Sequence, residues 1–178
     1  MVSDAAGGGD AALASLNLVS PLCWSLTTIF TVTAIGAGAV VARRTGEGDA
    51  LRSSQALWTS LGLATFLGLL VTLLCVAGRD TGMNWLGQEM FDQDPQSRAR
   101  ILQEAGGYLT WFLLLFPLRA LVVTLESTVR GAGESLLPVV GGVVANLFNI
   151  LGNAVLLYGL WGFPRMGVEG VGLATGLA

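Results

Sequence analysis

Three asparagines set the first question. Asn146, Asn149 and Asn153 lie in a stretch, Ser135 to Pro164, that carries no charge. At about 100° per helical residue they fall within roughly 60° of one another. An amide in hydrocarbon is costly unless it is paired, so a stripe of three is informative. Gly141 and Ala145 continue the same face. One reading is packing, where small residues permit close approach and amides bond across the contact. The other is a cation or substrate site, because amide oxygens ligate hard cations.

A second stripe runs along an earlier segment. Ser20, Trp24, Thr27, Thr31, Ala34 and Gly38 share one helical face. Membrane threonines commonly bond back to their own helix, yet a line of hydroxyls also suits the wall of a wet cavity. A third pair is ionic. Arg119 and Glu126 interrupt the apolar run from Ala105 to Val129. They lie on one face about two turns apart, too far for an ideal direct contact. Each is expected to meet another helix, a cavity or a headgroup, and bundle stabilisation is an even alternative to function. Pro117 precedes Arg119 and is a candidate kink.

Other chemistries lack reagents. There is no histidine, and Cys23 and Cys75 stand far apart in apolar stretches. No catalytic residue or resident cofactor is expected, and both cysteines read as small buried apolar residues. Gly36-Ala37-Gly38 looks like half a dinucleotide fingerprint, but no strand–helix unit frames it.

The elements that must position these groups follow from composition. The chain has 178 residues, of which 53% are apolar and 12% charged, and its mean hydropathy is +0.68. A soluble domain averages about 25% charged residues, so a water-facing surface is excluded. Net charge is -3 and none of the nine basic residues is lysine, which leaves no basic patch for nucleic acid or anionic lipid. The fold expected is all-α: a polytopic transmembrane helix bundle whose partner is the lipid bilayer. A span needs about 20 apolar residues. Charge-poor windows place four spans near 17–42, 53–78, 106–129 and 136–160, and 168–178 opens a truncated fifth. Residues 1–14 read as a flexible lead-in and 79–104 as a longer loop, with a short surface helix over 96–104. Arginines divide four against four between alternate loops, so the positive-inside rule is tied. The dense Arg43, Arg44, Arg52 hairpin leans cytoplasmic.

Four segments, in order, resemble the multidrug and toxic compound extrusion (MATE) transporters. They are Ala42-Arg43-Arg44-Thr45-Gly46-Glu47-Gly48-Asp49; Val129-Arg130-Gly131-Ala132-Gly133-Glu134 with Pro138; Asn146-Leu147-Phe148-Asn149-Ile150-Leu151-Gly152-Asn153 running to Tyr158-Gly159; and Gly162 through Thr175. The resemblance implies part of a twelve-helix, two-lobed protein of the cell (inner) membrane. Such proteins exchange Na⁺ or H⁺ for cationic or amphipathic drugs, and the chain would hold the second to fifth helices and the opening of the sixth. The family's first helix and C-terminal lobe, both needed for function, have no counterpart in this stretch.

Some members carry a coupling site made of an aspartate, an asparagine, an acid and a threonine. Asn149 matches the asparagine, Asn153 stands where the acid would be, and Thr175 matches the threonine. A Na⁺ site at Asn149, Asn153 and Thr175, with Asn146 beside it, is what the resemblance implies. Asn153 departs from the pattern, since an amide carries no proton. Trp24, Thr27, Thr31, Arg119 and Glu126 are candidate cavity-lining residues. Trp58 and Trp111 are further candidates to face cations, and Trp85 and Trp161 read as interface anchors. Two alternatives stand beside drug export: a lipid-linked saccharide flippase of the same superfamily, and a non-transporting membrane fragment.

Overall fold

A computed structural model describes residues 3–90 and 94–177, and every element among them is helical. Helix α1 spans Ser3–Gly46, α2 Ala50–Met90, α3 Pro95–Gly131, α4 Leu136–Tyr158 and α5 Val168–Leu177. A short 3₁₀ turn, Leu160–Gly162, follows α4.

The stretch expected to be a flexible lead-in is helical from Ser3 onward, and residues 1 and 2 lie outside the described residues. The expected 79–104 loop is mostly helix as well. Helix α2 continues through Arg79 and Asp80 to Met90, because no proline stops it there. Helix α3 begins at Pro95, a residue pre-set for the first helical position. The Asp94 carboxylate caps it, accepting from the Ser97 N–H at 3.3 Å. At 41 residues, α2 is about 60 Å long, roughly twice the hydrocarbon thickness.

Helix α3 is the hub. It packs against α1, α2 and α5, and more lightly against α4. Its inner face carries Ala105, Tyr108, Phe112, Leu113 and Phe116, all buried. Phe116 meets Phe30 of α1 edge-on, with ring centroids 5.0 Å apart.

Proline in mid-helix leaves the carbonyl four residues earlier without its partner. For Pro117 that carbonyl belongs to Leu113, and Thr72 of α2 supplies the missing donor at 3.0 Å. Gly68, one turn before Thr72, makes room for the approach: a Cβ there would lie 2.9 Å from the Pro117 Cα.

Small residues bring the other helices equally close. A Cβ on Gly131 would collide with the Gly38 carbonyl of α1. Helix α5 wedges in through its glycines: a Cβ on Gly172 would lie 2.7 Å from the Tyr108 carbonyl oxygen, and one on Gly176 would meet Leu115 at 2.7 Å. Only Pro138 of α4 is buried. Large apolar side chains such as Leu147, Phe148, Ile150 and Leu151 face outward, as suits lipid or further helices.

Local ion pairs finish each helix at the α1–α2 hairpin, and the Thr45 and Ser53 hydroxyls bond across it at 2.9 Å. Glu47 accepts from Arg43 Nε at 2.9 Å and Arg44 Nη1 at 3.0 Å. The Asp49 carboxylate caps α2 by accepting from the Arg52 N–H at 3.0 Å.

Two predictions follow from these contacts. Thr72→Val should lower stability by about 1 kcal/mol in detergent unfolding, the usual worth of an interhelical hydrogen bond. In a Pro117→Ala background, where an N–H again reaches the Leu113 carbonyl, the same change should cost nearly nothing. The second concerns Glu47, whose carboxyl is held below its ordinary value first by the Arg43 bond and then by the Arg44 bond. A depressed carboxylate stabilises fully above the ordinary carboxylate range and loses that contribution as pH falls through the lowered value. Carboxyl NMR titration should find Glu47 below a free glutamate, and Arg43→Gln should move it back up.

Candidate functional site: a polar cavity shared by α1, α3, α4 and α5

Two voids open beside α3. The larger, about 510 Å³, lies between α1, α3 and α5. Ser20, Trp24, Thr27 and Thr31 line its α1 wall, and Tyr108, Phe112 and Arg119 its α3 wall. The smaller, about 310 Å³, lies between α3, α4 and α5, where Arg119 and Glu126 face Asn146 and Asn149. Arg119 and Thr175 line both voids. The hydroxyl stripe of α1 and part of the amide stripe of α4 therefore line two adjoining voids, with Arg119 and Thr175 on the wall that both share. Glycines on α5 put Thr175 there by letting that helix enter between α3 and α4.

The hydrogen bonds fix what these walls offer. Thr27 donates to the Cys23 carbonyl at 2.8 Å, and Thr31 to the Thr27 carbonyl at 3.0 Å. Ser20 and Thr28 donate backward in the same manner. Each hydroxyl proton is thus spent inside the helix, and what remains for the void is oxygen lone pairs. Asn146 Nδ2 donates one of its two protons to the Gly142 carbonyl at 2.9 Å. The acceptor-rich α1 wall favours a cation or a donor-rich ligand. Trp24, Tyr108 and Phe112 add aromatic faces, which attract organic cations.

Asn153 stands apart from the cavity lining. Its Nδ2 donates to Asn149 Oδ1 at 2.9 Å. Its own Oδ1 is buried and has no partner among the described residues. The two amides are therefore coupled, and one buried acceptor is left over.

The charged pair divides as its spacing predicts. Glu126 accepts from Arg130 Nη2 at 3.3 Å, an i,i+4 contact, and still lines the smaller void. Arg119 Nε is buried without a partner among the described residues.

Of the tryptophans proposed to face cations, Trp24 lines the larger void. Trp58 instead lies on the exposed face of α2. Tyr108 and Phe112 were not singled out from the sequence. Their signal is the i,i+4 spacing of Tyr108, Phe112 and Phe116 on one face of α3, and the first two rings stack at 6.3 Å.

A multi-pass helix bundle with hydroxyls, an amide pair and an arginine lining voids between its helices is the form of a membrane transporter, and comparison supplies the family. The MatE family pattern matches residues 1–155, and the chain belongs to that family. Its members are membrane transporters rather than enzymes. The chain is 25% identical to "Probable multidrug resistance protein NorM" of Thermotoga maritima, across 92% of its own length and 33% of the relative's. It is 29% identical to "Multidrug resistance protein PmpM" of Pseudomonas aeruginosa, across 92% of its length and 32% of the relative's. The chain thus spans about a third of the curated relatives it matches. Among solved structures it superposes on a MATE protein in complex with MaD3S, with a TM-score of 0.78 and 22% identity, over 94% of this chain and 35% of that one. It also superposes on the outward-facing conformation of a multidrug resistance MATE family transporter. There the TM-score is 0.78 and the identity 19%, over 99% of this chain and 39% of that one.

If the α1 wall faces a water-filled space, accessibility should follow the helix face. In a background with Cys23→Ala and Cys75→Ala, Thr31→Cys should react with a water-soluble thiol reagent at least about tenfold faster than Thr33→Cys, which points about 200° away. Equal rates would make the stripe a packing face.

Proposed function

We propose that this chain is the N-lobe portion of a secondary active multidrug exporter of the cell (inner) membrane. The exporter exchanges Na⁺ or H⁺ for cationic or amphipathic compounds. The observation that carries this reading is the position of Thr175 and Arg119 on both voids. It sets the hydroxyl wall and the amide wall on adjoining voids, so that an ion in one and a drug in the other would touch the same side chains. The printed names of the relatives, which are multidrug resistance proteins, point the same way.

The residues present fit a hard cation. Asn149, Asn153 and Thr175 offer neutral oxygens, and the unpartnered Asn153 Oδ1 is a buried acceptor that a cation would satisfy. An amide does not titrate, so these residues favour Na⁺ over H⁺. Glu126 is the carboxylate lining the smaller void, and Arg130 already engages it. On the drug side, Trp24, Tyr108 and Phe112 supply ring faces, and Thr27 and Thr31 supply acceptors. Exchange requires that ion and drug bind two conformations differently. Occupation of the α4–α5 contact by an ion would alter the wall that the drug shares.

Ethidium efflux tests the proposal. Cells expressing the full-length gene should extrude the dye under an imposed Na⁺ gradient. The double variant Asn149→Ala, Asn153→Ala, at matched membrane abundance, should lose at least about tenfold in rate, which corresponds to about 1.4 kcal/mol. Equal efflux from both proteins would reduce the amide stripe to helix packing. Efflux from neither would favour the saccharide flippase or a non-transporting fragment.

A further inference from the structure

Away from the polar cavity, α1, α2 and α3 enclose a groove of a different character. Its volume is about 340 Å³, and Leu22, Leu26, Met83, Leu109 and Leu113 form most of its wall. It stands open along α2, where a Cβ added at Gly78 or Gly82 would meet nothing within 4 Å. Ser25 also borders it, but that hydroxyl already donates to the Pro21 carbonyl at 2.8 Å.

One charge borders the groove. Arg79 is the first ionic residue after the charge-free stretch Ser53 to Gly78. The side chain reaches across to α3 and is seated over Gly106, where a Cβ would come within 2.5 Å of Nη2. Its Nε is buried and has no partner among the described residues. The nearest carboxylate, Asp80 Oδ1, lies 4.0 Å from Nη1 on a side chain that is 93% exposed. The fold thus holds a guanidinium against an apolar groove and gives it only a distant, solvated counter-ion.

We propose that this groove binds an anionic phospholipid, with the phosphate on Arg79 and an acyl chain along Leu22, Leu26 and Leu113. Charge complementarity selects this occupant. Arginine pairs with phosphate through two parallel donors. A water-soluble anion would leave the leucine wall uncovered. A zwitterionic lipid would bring a second cation close to Arg79. The site shares no lining residue with the polar cavity, so it stands independently of the transport reading.

Native mass spectrometry of the detergent-solubilised protein tests this. Dioleoyl-phosphatidylglycerol should be retained in preference to dioleoyl-phosphatidylcholine. Arg79→Gln should weaken phosphatidylglycerol retention about fivefold, the usual worth of one interfacial basic residue, and Arg79→Lys should restore most of it. Gly82→Leu keeps the charge but fills the groove, and should also reduce retention. That second variant decides the matter if Arg79→Gln fails to fold. Equal retention of the two lipids by wild type would overturn the site. So would phosphatidylglycerol retention unchanged in both Arg79→Gln and Gly82→Leu, or displacement of the lipid by inorganic phosphate alone.

Discussion

The Leu113 carbonyl is the group on which the bundle turns. Pro117 removes the N–H that would have satisfied it, and in hydrocarbon no water replaces that donor. Thr72 does so at 3.0 Å. The bond fixes α2 against α3 in one register, and Gly68 lies where that register needs no side chain. Either partner alone would be a liability. Proline without threonine leaves a bare carbonyl, and threonine without proline would turn its hydroxyl back into its own helix, as Thr65 does to Leu61. Together they convert a break in α3 into a tie between helices.

With α3 so held, the other contacts are made by what side chains lack. Lipid tails are as apolar as leucine, so burial alone does not drive helices together inside a bilayer. Close approach does, and it needs small residues. Gly38 with Gly131 joins α1 to α3; Gly172 and Gly176 join α5 to α3; Gly152 with Ala174 joins α4 to α5. The cavity is a consequence. Where glycines bring backbones together the bundle is tight. Where Thr27, Thr31 and Asn149 stand instead, space and oxygen remain.

Much of this is legible in the chain. The four spans follow from charge-poor windows, because the bilayer sets a minimum apolar length that few other folds reach. The stripes of α1 and α4 follow from helical periodicity, since one face repeats whatever the helix packs against. Ends are less legible. The extension of α2 past Arg79 is invisible to hydropathy, because a helix need not stop where hydrocarbon does, whereas Pro95 after Asp94 is a readable start. The joining of the two stripes is not legible at all. It depends on α5 entering between α3 and α4, a tertiary fact that the glycines permit without specifying. Tyr108 and Phe112 escape for a related reason, since an aromatic face reads as core until the structure shows an empty volume beside it.

The chemistry of the cavity narrows how coupling could work. The hydroxyls of its α1 wall have spent their protons on their own helix, leaving that wall rich in acceptors. A carboxylate switch would couple by gaining and losing charge. Amides and threonines cannot, so an ion bound to them must act through geometry. Asn149 and Asn153 are already joined by a hydrogen bond at 2.9 Å. In the proposed exchange, an ion drawing on the Asn149 oxygen would compete with that bond, close to the contact between α4 and α5, where Thr175 also faces the larger void. Coupling of this kind is a population shift. In the proposed exchange it is only as strong as the difference in ion affinity between the two conformations, and α5, seated by close glycine contacts and by the buried Val168 and Ala174, lies where the two walls meet.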